Sequence, residues 1–212
     1  MMMKNSRAVF IPAILVSLVS LFLIGYGVVT MMQHVGGHPG VGPNGEMQPH
    51  ERNVVKEIFN NIGNVAIACG AISFYWLLFK KKLTSSSMVI KKFAKKIYKA
   101  HTYVGWAAFV LTVAHGAYFL LDFDHPKYLT GLAAFLLLLA IATYGWLIKR
   151  FNNKYMRTSH LILSSLWIVA LLIHAGGFMI LVTAITLLTW AALKVVDLRG
   201  KQKTAEIRAT ME

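Results

Sequence analysis

The chain is expected to fold as an all-α membrane protein, a six-transmembrane-helix bundle with both termini cytoplasmic. Three observations lead there. Hydrophobic residues fill 57% of 212 positions and charged residues only 14%, for a mean hydropathy of +0.58. A soluble domain of this length needs far more charge to cover its surface. The apolar residues fall into six runs, each long enough to cross a hydrocarbon core of about 30 Å. The basic residues collect on alternate connections between those runs.

The expected spans cover about 8–32, 54–79, 98–121, 129–148, 158–175 and 177–195. Lys4 and Arg7 precede the first, as in a secretory signal, but its apolar core is long and no small-x-small cleavage site follows. It is read as a retained anchor. Residues 33–53 form an extracytoplasmic Gly-rich loop containing HVGGHPGVGPNGEMQPHER, too rich in glycine and proline to be helical throughout. The second span carries Asn60, Asn61 and Asn64 in its outer half, which either line a polar pocket or bond neighbouring helices. A basic cytoplasmic loop over 80–97, with the runs KKK, KK and KK, leads into the third span. The acidic turn DFDHPKY precedes the fourth, and Pro126 beside Asp124 suits a helix start there. KRFNNKYMR over 149–157 precedes the fifth, and Gly176–Gly177 make a tight reversal into the sixth. Residues 198–212 are a polar cytoplasmic tail.

The net charge of +14 resembles a nucleic-acid signal until it is placed on this topology. With the N-terminus inside, the inner segments hold Lys4 and Arg7, eight lysines from Lys80 to Lys99, four residues from Lys149 to Arg157 and five from Lys194 to Arg208. These are 19 of the 22 basic residues, and only Arg52, Lys56 and Lys127 fall outside. The bias follows the positive-inside rule at every loop. The partner of this charge is a lipid bilayer and not nucleic acid, and the expected location is the cell membrane, multi-pass, of bacterial cytoplasmic type.

Chemistry concentrates on histidine. His101 and His115 lie fourteen residues apart in the third span, and His160 and His174 repeat that spacing in the fifth. Fourteen residues are almost four helical turns, so each pair shares one face of its helix, about 21 Å apart along the axis. Both spans run from inside to outside, which matches His101 in depth with His160, and His115 with His174. Two imidazoles facing each other at one depth are what a haem iron needs on its two axial positions. Filling both positions favours electron shuttling over binding of oxygen. Ionisable residues within spans are rare and usually functional, although a histidine can also serve only to hydrogen-bond two helices. With Cys69 as the one cysteine there is no Cys-x-x-Cys-His attachment site, so two haems would be non-covalent and b-type, set between helices 3 and 5.

Further residues surround this set. Gly105 and Ala108 would let a flat macrocycle approach the third helix, and Trp167 lies midway between His160 and His174. Thr112 and Ser164 are placed to bond a backbone carbonyl or a ligand imidazole. Haem propionates would find Lys99 and Arg157, with Lys95 and Lys96, at the inner side, and Arg52, Lys127 and Lys56 at the outer side. Positive-inside topology accounts for the inner set equally well. His34, His38, His50 and His125, with neighbouring carboxylates, enrich the outer loops without matching any metal motif.

Six spans with His101-TYVGWAAFVLTVA-His115 in the third and His160-LILSSLWIVALLI-His174 in the fifth resemble the ferric reductase-like transmembrane domain family. The likeness is specific over residues 98–175 and elsewhere extends only to the span count. It implies two haem b groups and electron flow from a cytoplasmic reductant to an extracytoplasmic acceptor such as ferric iron. The sequence departs from the large members in having no flavin or nicotinamide domain after the sixth span, and no G-x-G-x-x-G motif or P-loop. A flavin or quinone from a partner would have to deliver the electrons, through a separate cytoplasmic flavoprotein reductase or membrane quinol. The basic 80–97 segment is a docking surface for an acidic flavoprotein or a loop facing anionic lipid. Two alternatives stand beside this one. The first is a quinol-coupled respiratory cytochrome b, disfavoured because no acidic residue lies within spans three to five. The second is a non-redox helical membrane protein, for which no mid-membrane charge marks an ion or substrate site. No serine, cysteine or carboxylate constellation suggests hydrolysis.

Overall fold

Long runs of Ala, Leu, Ile, Val and Phe leave the backbone one local way to satisfy its N–H and C=O groups away from water, the α-helix. The computed structural model describes residues 6–34, 54–80, 88–120, 127–151 and 153–209, and among these there is no strand. Six helices follow in order: α1 (Ser6–His34), α2 (Val54–Phe79), α3 (Met88–Phe119), α4 (Tyr128–Phe151), α5 (Lys154–Ala175) and α6 (Gly177–Ala209). Five of them, all but α3, are long and apolar enough to cross a membrane. Five lysines in the first half of α3, and His101 and His115 further along, dilute its apolar content below that of the others.

Two expected connections turn out to be largely helical. The basic segment expected as a loop over 80–97 is helix from Met88. Ile90 and Ala94 are buried while Lys92, Lys95 and Lys96 are exposed, so a period-3.6 pattern runs beneath the lysines. The polar segment from 198 continues α6 as helix to Ala209, since Lys, Gln, Ala, Glu and Arg are all good helix formers.

The chain divides into two compact units. The first comprises residues 1–65 and 109–176, and its core is α1, α4 and α5, each touching the other two. The Tyr144 hydroxyl of α4 donates to the Val9 carbonyl of α1. Gly27 of α1 sits against Thr130 at the other end of α4, where a Cβ would lie 3.0 Å from the Thr130 methyl. Contacts from both ends of α1 thus brace α4. Phe10 adds an edge-on contact to Tyr155 of α5, with ring centroids 5.7 Å apart.

The second unit comprises residues 66–108 and 177–212. Tyr75 of α2 donates to the Thr183 hydroxyl of α6 at 2.9 Å, and Thr183 itself donates to Met179 O. Phe79 meets Phe93 edge-on at 5.8 Å, and Trp76 meets Tyr98 at 4.9 Å, which ties α2 to the lysine-bearing part of α3.

Large apolar side chains remain on the outside of both units. Phe22 is 71% exposed and Leu188 is 70% exposed. A water-soluble surface does not carry so many contiguous apolar groups, whereas lipid tails cover them at no cost. Five such helices fit a multi-pass membrane protein.

The break between α5 and α6 is a single residue. Gly176 adopts φ 55°, and its N–H caps Leu172 O at 3.1 Å. At the other end of α5, Asn153 accepts from Tyr155 N at 2.8 Å as the N-cap. A Cβ at Gly176 would meet nothing within 4 Å, so only the backbone opposes a side chain there. Gly176→Ala is expected to lower stability by about 1–2 kcal/mol, while Gly177→Ala, in ordinary helical geometry, should be neutral or slightly stabilising. Thermal unfolding of the two variants in detergent micelles measures the difference.

Candidate functional site

A histidine in a membrane helix cannot leave its ring N–H unpaired without a cost of several kcal/mol. The four spaced histidines meet this requirement in one way. His115 donates from Nδ1 to Phe59 O of α2 at 2.8 Å, within the first unit. His160 donates from Nδ1 to Ile141 O of α4 at 3.0 Å. His101 donates from Nδ1 to Ser73 O of α2 at 2.8 Å, within the second unit. The Ser73 hydroxyl lies 3.0 Å from the same nitrogen and donates to His101 O at 3.1 Å. His174 places Nδ1 3.1 Å from the Thr130 hydroxyl of α4. Thr130 already donates its proton to Lys127 O at 2.9 Å, so this bond too runs from the imidazole.

The tautomer follows from the partners. A carbonyl oxygen has no proton to give, so Nδ1 carries the hydrogen in each ring and Nε2 carries the in-plane lone pair of a neutral imidazole. Nε2 is the nitrogen that such a ring presents to a metal when the other nitrogen is held by a carbonyl. Within the described residues no group of three or more His, Cys, Asp or Glu is gathered for a metal ion.

On α2 the acceptors, and on α4 two glycines beside the rings, repeat the fourteen-residue spacing of the histidines. Phe59 and Ser73 on α2 are fourteen residues apart, like His101 and His115 on α3. Gly131 and Gly145 on α4 are fourteen apart, like His160 and His174 on α5, and each faces Cε1 of its histidine. A Cβ on Gly131 would stand 2.9 Å from His174 Cε1, and one on Gly145 would stand 3.3 Å from His160 Cε1. On α2, a Cβ on Gly63 would come within 2.7 Å of both Cε1 and Nδ1 of His115. In a helix the carbonyl of residue i is overhung by the side chain at i+4. Gly63 follows Phe59 by four and Gly145 follows Ile141 by four, so each glycine opens the carbonyl beneath it to an imidazole from outside.

The remaining expected residues fall as follows. Ser164 is buried, but its hydroxyl donates to His160 O along its own helix at 2.7 Å, so it holds backbone and not the ring. Gly105 lies against the Ser73 hydroxyl, where a Cβ would stand 3.1 Å away, and so protects the His101 contact. Ala108 and Trp167 are both buried, the first in the second unit and the second in the first unit. Thr112 is half-buried on α3. Lys99 and Arg157 are exposed, two and three residues before His101 and His160 in sequence, and Lys127 is partly buried beside the start of α4. Asn60 and Asn61 are exposed and Asn64 is half-buried. Arg52, His38, His50 and His125 lie outside the described residues.

An aromatic cluster that the histidine spacing did not suggest surrounds His115. Phe59 stacks on Tyr118 with centroids 4.2 Å apart and planes within 5°, and Phe119 approaches the His115 ring at 4.9 Å. Ser73, Thr130 and the three glycines were likewise not singled out. The fourteen-residue interval joins Phe59 with Ser73 and Gly131 with Gly145, but it gains meaning only beside the histidine helices, and nothing along the chain marks Thr130 or Gly63.

Scans against protein-family models, curated proteins and solved structures return no match to this chain.

Gly63→Ala is expected to force His115 away from Phe59 O and to cost about 1–3 kcal/mol, the usual penalty for overpacking. Gly25→Ala and Gly116→Ala, where an added Cβ meets nothing within 4 Å, should leave stability near that of the parent. Denaturant unfolding in mixed micelles compares the three variants.

Proposed function

We propose that the chain is a dihaem b-type membrane cytochrome that carries electrons across the bilayer, in the manner of the ferric reductase-like transmembrane domains. The observation that carries this reading is the shared placement of four imidazoles, each with Nδ1 within 3.1 Å of an oxygen on α2 or α4. Histidines that served only to join helices would have no reason to share one tautomer, one donor nitrogen and one sequence interval.

On this reading α3 is the sixth membrane-crossing helix, both termini are cytoplasmic, and the location is a bacterial cell membrane. By sequence position alone, the proposal assigns His101 and His160 to one haem and His115 and His174 to the other. Bound between such pairs, a b-type haem supplies a one-electron couple closed to external ligands. The protein's part is to hold the rings rigidly so that little rearranges on reduction. Each ring is fixed at Nδ1, and three of the four also rest against a glycine notch. Donation of Nδ1–H to an oxygen increases the basicity of Nε2 and strengthens its hold on iron. Surrounding apolar side chains keep water from the site.

The electron donor is a separate cytoplasmic flavoprotein or a membrane quinol, and the acceptor lies on the extracytoplasmic side, with ferric iron the leading candidate. Exposed Lys92, Lys95 and Lys96 on one face of a helix suit an acidic flavoprotein surface.

Purified protein from cells grown with ample haem is expected to give a dithionite-reduced minus oxidised spectrum of bis-imidazole haem b, with two haems per chain. His115→Ala or His174→Ala should leave one haem, as should His101→Ala or His160→Ala. A colourless parent protein would overturn the redox reading, and two haems retained in His101→Ala would overturn the pairing.

A further inference from the structure

A serine or threonine in a membrane helix can satisfy its hydroxyl by donating to a carbonyl one turn back on the same helix. Ser17, Thr143, Ser165 and Thr189 do so here, at 2.7, 2.9, 3.0 and 2.8 Å. An asparagine amide asks for more, with two N–H donors and a carbonyl acceptor to satisfy. α2 carries three of them, Asn60, Asn61 and Asn64, and none makes a hydrogen bond among the described residues. Asn60 and Asn61 are exposed and Asn64 is half-buried. We infer that these three amides form the surface on which α2 meets a second copy of this chain within the membrane, the amides of one copy bonding those of the other. The inference goes beyond the electron-transfer reading and holds with or without haem.

Helical geometry sets the three on one side of α2, within an arc of about 100°. Phe59 and Gly63, which meet His115, lie on a different side, centred about 120° away around the axis. Val54, Ile58 and Val65 make up the remaining side, which is apolar and exposed as lipid requires. The outer half of α2 therefore has one side for α3, one for lipid, and one that suits neither.

Depth makes the amides costly if nothing covers them. α2 has 26 residues, about 39 Å at 1.5 Å per residue, against about 30 Å of hydrocarbon. Centred in the bilayer, it places Asn60 and Asn61 about 5–7 Å inside the boundary nearest its N-terminus, and Asn64 about 11 Å inside. Water does not reach that far into lipid, so an amide there needs a protein partner. The amide also says which partner fits. A charged stripe would call for its opposite, whereas an amide holds donor and acceptor together and so complements its own kind. A two-fold axis brings identical surfaces together, each residue against its counterpart or its neighbour. Asparagine is a known bond between membrane helices and a known selector of oligomeric state in paired helices.

The test uses the full chain with a donor or an acceptor fluorophore on its C-terminus, mixed in phosphatidylcholine vesicles over a range of lipid-to-protein ratios. Energy transfer in the parent is expected to fall on dilution with lipid as that of a dimer does. Asn60→Leu, Asn61→Leu or Asn64→Leu should weaken association about tenfold. Asn64→Gln, which keeps the amide, should stay near the parent, and Ile58→Leu on the lipid side should match it. A second readout locates the contact: in a Cys69→Ala background, Asn61→Cys should form a disulfide between copies under oxidation and Ile58→Cys should not. A parent that is monomeric at every ratio overturns the inference, and so does association undiminished in all three leucine variants. If the leucine variants fail to fold, the cross-link decides, its absence from Asn61→Cys overturning the inference. Haem content enters none of these outcomes, so failure here and failure of the dihaem reading are separate results.

Discussion

An imidazole placed between apolar helices has one proton to give, and the rest of this structure is arranged around where that proton goes. Each of the four spaced histidines gives it to an oxygen of the helix beside its own: α2 receives His101 and His115, and α4 receives His160 and His174. Each bond contributes about 0.6–2 kcal/mol in a membrane setting, too little to determine the fold. It is enough to choose a rotamer and a tautomer, and those are the properties a ligand nitrogen requires. The helices that bear histidines and the helices that receive them therefore form two working pairs, α2 with α3 and α4 with α5.

The small residues of α2 and α4 gain their meaning from this constraint. Taken alone, Gly63, Gly131 and Gly145 weaken a helix slightly relative to alanine. Against an imidazole they remove the one carbon that would keep the ring from its oxygen. α1 joins the same scheme although it carries none of the spaced histidines. Its contacts at Val9 and Gly27 hold α4 near both ends, and Gly27 backs the residue that receives His174. A first span that sequence alone casts as a simple anchor is thus part of the scaffold of its unit.

The lysine-rich stretch before His101 shows how one set of residues can carry two signals. Under the positive-inside rule its charge predicts a cytoplasmic side. Its spacing, with Ile90 and Ala94 buried beneath exposed Lys92, Lys95 and Lys96, makes it the amphipathic opening of α3. Charge density suggested a loop because lysine runs are hydrophilic, yet lysine is a good helix former and the apolar positions beneath it have helical period. The helical continuation of α6 to Ala209 has the same origin.

Composition, span length and histidine spacing determined what could be known without coordinates: an all-helical, lipid-facing chain, its helix ends to within a few residues for α2 and α4, and four histidines as the place to look. Those features are local or periodic, so a linear text carries them. Which oxygen each imidazole reaches was decided by the packing of α2 and α4 against the histidine helices, through contacts between residues 19 to 56 positions apart, from Ile141 with His160 to Phe59 with His115. So was the importance of Ser73, Thr130 and the glycines. A hydroxyl or a missing Cβ has no distinctive pattern along the chain, and its role exists only once another helix lies against it.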